Sequence, residues 1–297
     1  MLKQVVVTGA SGYIGRELTN RLLKDDFHVS IIARKNSNLS YLPSDDKSVS
    51  ITHYDGSLSS LEPAFINKDI SAVFHLAAWS KLSHCKDDID TIIDSNVRFG
   101  THLLECTTEY NCPSFINTSS FSVYNDNDTY KPQALYSASK KAFEDIIEYY
   151  TYSGELNAIT LILCDVYGVG DNRKKIFSLL KEACINKAEL DTTAGEQFIC
   201  PVYIDDVISA YLKSYDLSQS SISNNNHKKY FVAGDKIQLK EIINKYVTIA
   251  GYDIKKINMG TLQYAAKQIM NPYIGEILPD WQQTVSIDEG LRKIIND

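Results

Sequence analysis

The chain has 297 residues, of which 44% are hydrophobic and 23% charged, enough for one large domain or for a nucleotide-binding domain with a smaller companion. Its net charge is −7, and it has no run of lysine or arginine, which excludes nucleic acid and anionic membranes as expected partners. The six cysteines show no CxxC spacing, and no apolar stretch is long enough to span a membrane. We therefore expect a cytoplasmic protein with reduced thiols and no metal site.

Short apolar runs alternate with amphipathic stretches in the first half of the chain. The runs predict strands at Gln4–Thr8, His28–Ala33, Val49–Tyr54, Ala72–Ala77, Ser114–Thr118 and Ala158–Leu163. The helical patterns that separate them are clearest at Arg16–Lys24, Ile92–Tyr110 and Ser137–Tyr152. This alternation predicts an α/β fold of the Rossmann type, with a doubly wound parallel sheet between two layers of helices.

Beyond Gly168 the pattern becomes less regular. It predicts helices at Lys174–Lys187, Asp206–Tyr215, Leu239–Ala250 and Leu262–Met270, and a polar surface loop at Ser218–Lys229. We expect a Rossmann domain over residues 1–168 and a smaller mixed α/β substrate lobe over residues 169–297. The boundary is soft, because such a lobe usually shares strands with the main sheet.

A glycine-rich turn joins the first predicted strand to the first predicted helix. Gly9, Gly12 and Gly15 have the spacing GxxGxxG. Glycine at such positions lets the backbone turn tightly, so that a pyrophosphate can reach the N–H groups at the helix N-terminus. The expected cofactor contacts in this turn are Gly9, Ser11, Gly12, Tyr13, Ile14 and Gly15.

The residues after the second predicted strand indicate which dinucleotide binds. An acidic residue there would bind the ribose hydroxyls of NAD and repel a 2′-phosphate. The chain has Arg34 and Lys35 instead, followed by Ser37. Arg34 can pair with a phosphate through two hydrogen bonds, and Ser37 can add a hydroxyl. We therefore expect NADP(H), with Arg34 and Ser37 at the 2′-phosphate.

Tyr136 and Lys140 form a YxxxK pattern at the start of the helix that follows the fifth strand. Residues four apart share one face of a helix, so both side chains can reach one cofactor. The charge of Lys140 is expected to lower the pKa of Tyr136 and make it a usable acid or base.

Together these motifs resemble the extended short-chain dehydrogenase/reductase family, which includes the NAD-dependent epimerases and dehydratases, over nearly the whole chain. Further matches are an HLAA element at His75–Ala78, an SSxxVY element at Ser119–Tyr124 and a VYxDDV element at Val202–Val207. Cys164–Gly168 is similar to the family's NVYG turn. The segment from Trp281 to Leu291 is similar to the family's C-terminal tail. His75 itself is expected to be packed and hydrogen-bonded rather than chemically active.

The resemblance implies roles for further residues. Ser120 would hold the substrate carbonyl and complete the catalytic set with Tyr136, Lys140 and Asn96, although Asn96 is one residue farther from Gly100 than in the usual N-x-x-G-T form. The remaining implied cofactor contacts are Asp55, Gly56, Leu76, Ala77, Ala78 and Ser119, together with Tyr136 and Lys140. The implied substrate contacts are Lys81, Ser120, Phe121, Ser122, Tyr136, Asp165 and Arg173, with Lys174 as an alternative to Arg173 at the substrate diphosphate.

The resemblance also narrows the reaction. Phe121 and Ser122 stand where dehydratases carry an acid and a base, and Ser122 and Gly170 stand where epimerase-reductases carry a cysteine and a histidine. Arg34 is unlike the carboxylate of 4-epimerases, which hold NAD tightly. What remains is an NADPH-dependent 4-ketoreductase of nucleotide-linked deoxysugars. The segments at Gly170–Lys174 and Gly195–Gln197 resemble the branch that contains CDP-abequose and paratose synthases, which serve lipopolysaccharide O-antigen synthesis, and GDP-linked reductases are near neighbours.

Two other functions and one assembly stay open at this stage. The chain could be a 4-epimerase with permanently bound NAD, or an NADP(H)-binding protein without catalysis, although such proteins usually lose the YxxxK pair. Family members often form homodimers through the helices that carry Asn96 and the YxxxK motif. The apolar side chains of Phe143, Ile146, Ile147 and Tyr150 fit such a contact, and they fit packing within one chain equally well.

Overall fold

The computed structural model describes residues 3–43, 47–154, 156–220 and 226–297. Its centre is a seven-stranded sheet with the order β11-β6-β5-β4-β1-β2-β3, in which every neighbouring pair is parallel. The strands are β1 Gln4–Thr8, β2 His28–Ala33, β3 Val49–His53, β4 Ile70–His75, β5 Ser114–Ser120, β6 Asn157–Leu163 and β11 His227–Val232. The prediction of a doubly wound parallel sheet is confirmed.

Helices cover both faces of this sheet. They are α1 Tyr13–Lys24, α2 Ile89–Ile93, α3 Phe99–Glu109, α4 Leu135–Tyr152, α5 Ile176–Asn186, α6 Ile204–Ser220, α7 Leu239–Ala250 and α8 Ile287–Ile295. Helices α1 and α6 lie on one face, where Leu18 and Tyr211 join the core, and α3 and α4 lie on the other with Leu103 and Phe143. None of the helices in the described ranges is long and apolar enough to cross a membrane.

Strand β1 shows why this arrangement requires an apolar run. Successive side chains of a strand point to opposite faces of a sheet. Val5 and Val7 accordingly pack in the core beneath α1 and α6, whereas Val6 packs beneath α3 and α4, and all three are fully buried. A central strand covered on both faces therefore needs apolar residues at consecutive positions.

The last third of the chain, together with the segment before it that follows β6, adds three small sheets to the main one. These pair β7 Val166–Tyr167 with β10 Val202–Tyr203, β9 Phe198–Ile199 with β12 Ile237–Gln238, and β8 Leu190–Thr192 with β13 Ile257–Met259. Strand β11 also belongs to this third, yet it forms an edge of the main sheet beside β6. The division at residue 168 stays a prediction, with elements shared across it.

Two predictions in this third are wrong. Leu262–Met270 is not helical, because its ends are held by other segments: the Leu262 N–H donates to the Thr192 carbonyl, and the Met270 carbonyl accepts from the Phe198 N–H. The predicted loop at Ser218–Lys229 is shorter, since α6 runs through Ser220 and β11 starts at His227. Residues 221–225 of that loop lie outside the described residues.

The apolar face of α4 packs within the chain. Phe143, Ile147 and Tyr150 are buried in the core against β4, β5 and α3, and Ile146 is partly buried beside them. The structure therefore decides the open alternative for this face in favour of intramolecular packing. A homodimer stays a prediction, and it would need other residues of α4.

Candidate active site

The glycine turn brings β1, α1 and the loop after β4 into close contact. Gly9 has a φ of +77°, and a Cβ there would lie 2.7 Å from the Ala77 nitrogen. A Cβ on Gly15 would lie 2.1 Å from the Gly9 carbonyl oxygen. Side chains are therefore excluded at both positions. The turn ends at Gly12, the N-cap of α1, whose first turn carries no acidic residue that would oppose an anion.

Thr8 connects this turn to the loop after β4. Its hydroxyl oxygen accepts the N–H groups of Leu76 and Ala77 at 3.2 Å each and is hydrogen-bonded to Nδ1 of His75 at 2.9 Å. His75 is fully buried, and burial, reinforced by the charge of Lys140, holds its pKa well below the usual range. The expectation that His75 is packed and hydrogen-bonded is confirmed, and the lowered pKa keeps its ring neutral.

A cleft of about 480 Å³ runs along this edge of the sheet. Eight of the predicted cofactor contacts line it: Gly9, Ser11, Gly12, Arg34, Ser37, Leu76, Ala77 and Ala78. Arg34 is exposed at the cleft mouth and Ser37 is half-buried, as a site for a solvent-facing phosphate requires. The lining also includes Thr91, Asp94 and Ser95, which sequence reasoning missed.

Other predicted cofactor contacts lie beside this lining. The side chain of Asp55 is exposed and accepts hydrogen bonds from the backbone and hydroxyl of Ser57, which hold its pKa below the usual value. Gly56 follows with a φ of +104°. Tyr13 belongs to the first turn of α1, and its hydroxyl donates to the Val169 carbonyl at 2.9 Å. Its side chain therefore links the cofactor turn to the loop after β7.

Ser120 and Tyr136 meet where β5 ends and α4 begins. The Ser120 hydroxyl hydrogen-bonds Tyr136 and lies 2.9 Å from the Ser122 hydroxyl. Burial raises the pKa of Tyr136 to about 12, while the Ser120 hydrogen bond and the charge of Arg173 act in the opposite direction. The expectation that Lys140 lowers this pKa is wrong for the protein alone, since the cation acting on Tyr136 is Arg173.

Lys140 lies one turn beyond Tyr136 on the same face of α4. Its side chain is 1% exposed, and its Nζ has no hydrogen-bond partner in the described part of the chain. Burial lowers its pKa to about 8, against the attraction of Glu144. A buried ammonium group without a partner is costly. Lys140 therefore fits a site that is completed by polar groups of a bound molecule.

Asn96 supports the site from the segment between α2 and α3. Its side chain exchanges two hydrogen bonds with the backbone of Trp79, at 2.7 and 3.0 Å, and donates to the Ser139 hydroxyl at 2.9 Å. Ser139 in turn donates to the Tyr136 carbonyl. Asp94–Arg98 is a π-helical turn, which holds one residue more than an α-helical turn and so accommodates the longer spacing to Gly100. Asn96 thus joins the loop after β4 to α4.

The predicted substrate residues around Ser120 have different exposures. Phe121 is partly buried and packs in a small core cluster with Cys164 and Phe231. Ser122 is buried, and its hydroxyl lies between those of Ser120 and Ser137, at 2.9 and 2.7 Å. Lys81 is exposed, with its ammonium 5.2 Å from the centre of the Trp79 ring.

Arg173 and Asp165 lie in the part of the chain that follows β6. Arg173 makes two 2.7 Å hydrogen bonds to Asp171, donates to the Val166 carbonyl, and lies 5.0 Å from the centre of the Tyr13 ring. Asp165 accepts the N–H of Cys200 at 3.3 Å, and burial raises its pKa. Arg173 is therefore placed between the cofactor turn and Tyr136. No group of three metal-binding side chains occurs within the described ranges.

Sequence reasoning missed the residues that position the site. Thr8 carried no motif, although it organises the HLAA loop. Tyr41, whose hydroxyl donates to the Ala10 carbonyl, lies in a segment that contains no recognisable motif. Ser139 lies inside the YxxxK motif itself, and its spacing from Tyr136 was the signal that could have found it.

Comparisons with known proteins agree with this geometry. Residues 5–227 match the NAD dependent epimerase/dehydratase family. A CDP-abequose synthase from Salmonella typhimurium is 30% identical over 214 residues, which cover 70% of this chain and 68% of the relative. A CDP-abequose synthase from Salmonella muenchen is 25% identical over 99% of this chain and 97% of its own.

Solved structures show the same fold. UDP-N-acetylglucosamine 4-epimerase from Methanobrevibacter ruminantium, in complex with UDP-N-acetylmuramic acid, superposes with a TM-score of 0.85 at 22% identity and covers 99% of this chain and 97% of its own. Thermus thermophilus UDP-glucose 4-epimerase, in complex with NAD, has a TM-score of 0.82 at 20% identity, with coverage of 99% and 98%. On the extent of the family match, the chain belongs to the NAD dependent epimerase/dehydratase family.

Proposed function

We propose that this protein reduces the C4 ketone of a nucleotide-linked 4-keto-deoxysugar with NADPH, in the synthesis of a deoxysugar for a polysaccharide. The observation that carries the proposal is the pair Arg34 and Ser37 at the end of β2, in the lining of the cofactor cleft, where an NAD enzyme would have a carboxylate. Support for the substrate class comes from the CDP-abequose synthases among the relatives.

The glycine turn would hold the pyrophosphate of the dinucleotide at the start of α1. Leu76–Ala78 would lie beside the nicotinamide ribose, which would also supply the hydrogen-bond partner that the Lys140 ammonium lacks. When bound, the reduced nicotinamide supplies the hydride for the sugar carbon. Arg34 and Ser37 would bind the 2′-phosphate.

Ser120 and Tyr136 would act on the carbonyl oxygen of the sugar. Ser120 acts on Tyr136 as a hydrogen-bond partner, so the two hydroxyl groups are near enough for one oxygen atom to accept from both. Because the pKa of Tyr136 is about 12, its hydroxyl carries a proton at neutral pH and can donate it to the developing alkoxide. The charge of Arg173 and the Ser120 hydroxyl would stabilise the tyrosinate that remains. This protonation state favours the reductive direction.

Two features oppose a dehydratase reaction at the same site. Phe121 has no group that could move a proton, and Ser122 is buried between two other serine hydroxyls.

The competing candidate, a 4-epimerase, would keep NAD bound throughout its catalytic cycle. The absorbance spectrum of the purified protein tests this: a reductase is expected to lose its cofactor during purification, whereas a permanently bound nicotinamide would favour the epimerase.

Arg34→Asp is expected to weaken NADPH binding by about 10–100-fold, because it removes a charge-assisted pair with the 2′-phosphate and adds repulsion. NADH binding should change little. The measurement is a fluorescence titration with each cofactor, and Lys35→Ala is the control, since it removes a neighbouring positive charge outside the cleft lining. Equal NADPH affinity in Arg34→Asp and in the unaltered protein would contradict the assignment.

Arg173→Ala is expected to raise the KM for the nucleotide sugar by about tenfold or more, since we assign the substrate diphosphate to this guanidinium. Lys174→Ala is the matched control, because Lys174 is the adjacent cation and its side chain is exposed. Steady-state kinetics with varied sugar nucleotide give the result. An unchanged KM in Arg173→Ala would exclude this role, and a raised KM in Lys174→Ala would transfer it to Lys174.

A further inference from the structure

A fully buried carboxylate lies directly behind the proposed active site. Glu144 is on α4, four residues after Lys140 and eight after Tyr136, so the three side chains follow one face of the helix. Glu144 is 0% exposed, and no step of the proposed reaction uses it. Isolated buried carboxylates are rare because the loss of hydration is costly, so the contacts that compensate for it indicate its role.

Two residues from the sheet contact this carboxylate, although its Oε2 has no hydrogen-bond partner within the described residues. The hydroxyl of Ser119, near the end of β5, donates to Oε1 of Glu144 at 2.5 Å. The ammonium of Lys229, on β11, lies 3.6 Å from Oε2. Ser119 is adjacent to Ser120, and β11 comes from the last third of the chain and forms the edge of the main sheet. The carboxylate is thus held from two strands beneath the active-site helix.

The third neighbouring group is Lys140 itself. The ammonium of Lys140 has no hydrogen-bond partner within the described residues, and Glu144 is the charged group that acts on it. We propose that Glu144 is a positioning residue that keeps Lys140 protonated and ready to bind the cofactor, while Lys229 and Ser119 keep Glu144 ionised. The proposal rests on the proposed function in one respect, namely that Lys140 contacts the cofactor.

The charges that face this pair agree with the assignment. Burial raises the pKa of Glu144, and the Ser119 hydrogen bond and the charges of Lys229, Lys141 and Lys140 offset part of that increase. Burial lowers the pKa of Lys140 to about 8, and Glu144 opposes the decrease. The pKa of Lys140 therefore lies close to neutral pH. Loss of one nearby negative charge would change the protonated fraction of Lys140 substantially in this pH range.

The remaining titratable neighbours do not supply a substitute charge. His75, from β4, experiences the charge of Lys140 and is held neutral by burial. Tyr124, after β5, experiences the charge of Glu144, and its pKa is raised to about 12 by burial. Both groups are thus uncharged near neutral pH. Removal of Glu144 would leave Lys140 without a negatively charged neighbour on any of these elements.

The test is the pH dependence of cofactor binding, measured by fluorescence titration between about pH 6 and 10. Affinity should fall above about pH 8 as Lys140 loses its proton. In Glu144→Gln the fall should begin about one pH unit lower, since loss of a nearby opposite charge shifts a pKa by about one unit. Binding at pH 6 should be almost unchanged, which a merely structural defect would not produce. Glu144→Asp keeps the charge but moves it one methylene away, so it should give an intermediate shift of the alkaline fall. This variant provides the test if Glu144→Gln does not fold.

Two controls assign the effect. Asp145→Asn removes a negative charge from the next residue of α4, where the side chain is exposed and pairs with Lys141, and it should leave the pH dependence unchanged. Lys140→Met should abolish the alkaline fall, which identifies the titrating group. The proposal is overturned if Glu144→Gln and Glu144→Asp both titrate like the unaltered protein, or if Lys140→Met retains the fall. The titration uses whichever cofactor binds more tightly and no sugar, so failure of the ketoreductase assignment would leave this result intact.

Discussion

Tyr136→Phe should reduce kcat for the keto sugar by about 10²–10⁴-fold, the range expected when a general acid is removed. The physical reason is that the Tyr136 hydroxyl, which lies beside Ser120 at the start of α4, is the proposed proton donor. A phenylalanine ring fills the same space, so the fold and the cofactor cleft should be preserved. NADPH affinity should therefore change far less than kcat.

The matched control for this variant is Tyr211→Phe. Tyr211 is a fully buried tyrosine on α6 whose hydroxyl pairs with Thr118 at 2.6 Å, and it lies close enough to Tyr136 for their charges to interact. It should retain kcat, because its hydroxyl does not reach the reacting atoms. Turnover of Tyr136→Phe at the rate of the unaltered protein would contradict the catalytic assignment and favour a cofactor-binding protein without catalysis.

Lys140→Met should abolish activity and at the same time stabilise the free protein. Burial lowers the pKa of Lys140 from 10.5 to about 8, so the folded state binds this proton more weakly than the unfolded state does. Each pKa unit corresponds to about 1.4 kcal/mol, and loss of the attraction to Glu144 offsets part of the gain. We expect an increase of about 1–3 kcal/mol in the free energy of unfolding at pH 7.

The stability difference between Lys140→Met and the unaltered protein should depend on pH. The penalty for charged Lys140 is fully present below pH 8, where the side chain is protonated in both states, and it is relieved as the pH rises above 8. The advantage of Lys140→Met should therefore shrink between pH 8 and pH 10. Urea unfolding at pH 7 and at pH 9.5 measures it, with Lys141→Met, a partly exposed lysine paired with Asp145, as the control. A less stable Lys140→Met protein at pH 7 would refute the argument.

The parts of the fold that sequence could predict are those where local pattern and tertiary packing agree. Strand β1 is apolar at consecutive positions because both faces of the central sheet are covered, and its bounds agree with the prediction. Strand β11 escaped detection because it is an edge strand with His227, Lys228 and Lys229 in its first half, which read as a polar loop. The segment Leu262–Met270 has helix-forming residues, but backbone hydrogen bonds to Thr192 and Phe198 determine its conformation.

The site shows the same division between local and long-range information. Gly9, Gly15 and Arg34 could be identified because the strand–turn–helix context fixes what their positions require. The electrostatic interactions of the site could not be predicted from the sequence, because they depend on residues that are far apart in the chain. Arg173 rather than Lys140 is the cation that acts to lower the pKa of Tyr136. Lys229 reaches Glu144, which lies far earlier in the chain, only because β11 is placed beside β6.

The most direct test of the proposed reaction is a fluorescence and absorbance titration of the purified protein with NADPH and NADH. Each cofactor is measured alone and with CDP-, dTDP- and GDP-linked 4-keto-6-deoxy sugars. We predict tighter binding of NADPH than of NADH, and oxidation of NADPH that starts when one of the keto sugars is added. Preference for NADH, or a bound NAD that never exchanges, would contradict the role of Arg34 and make the 4-epimerase the better explanation.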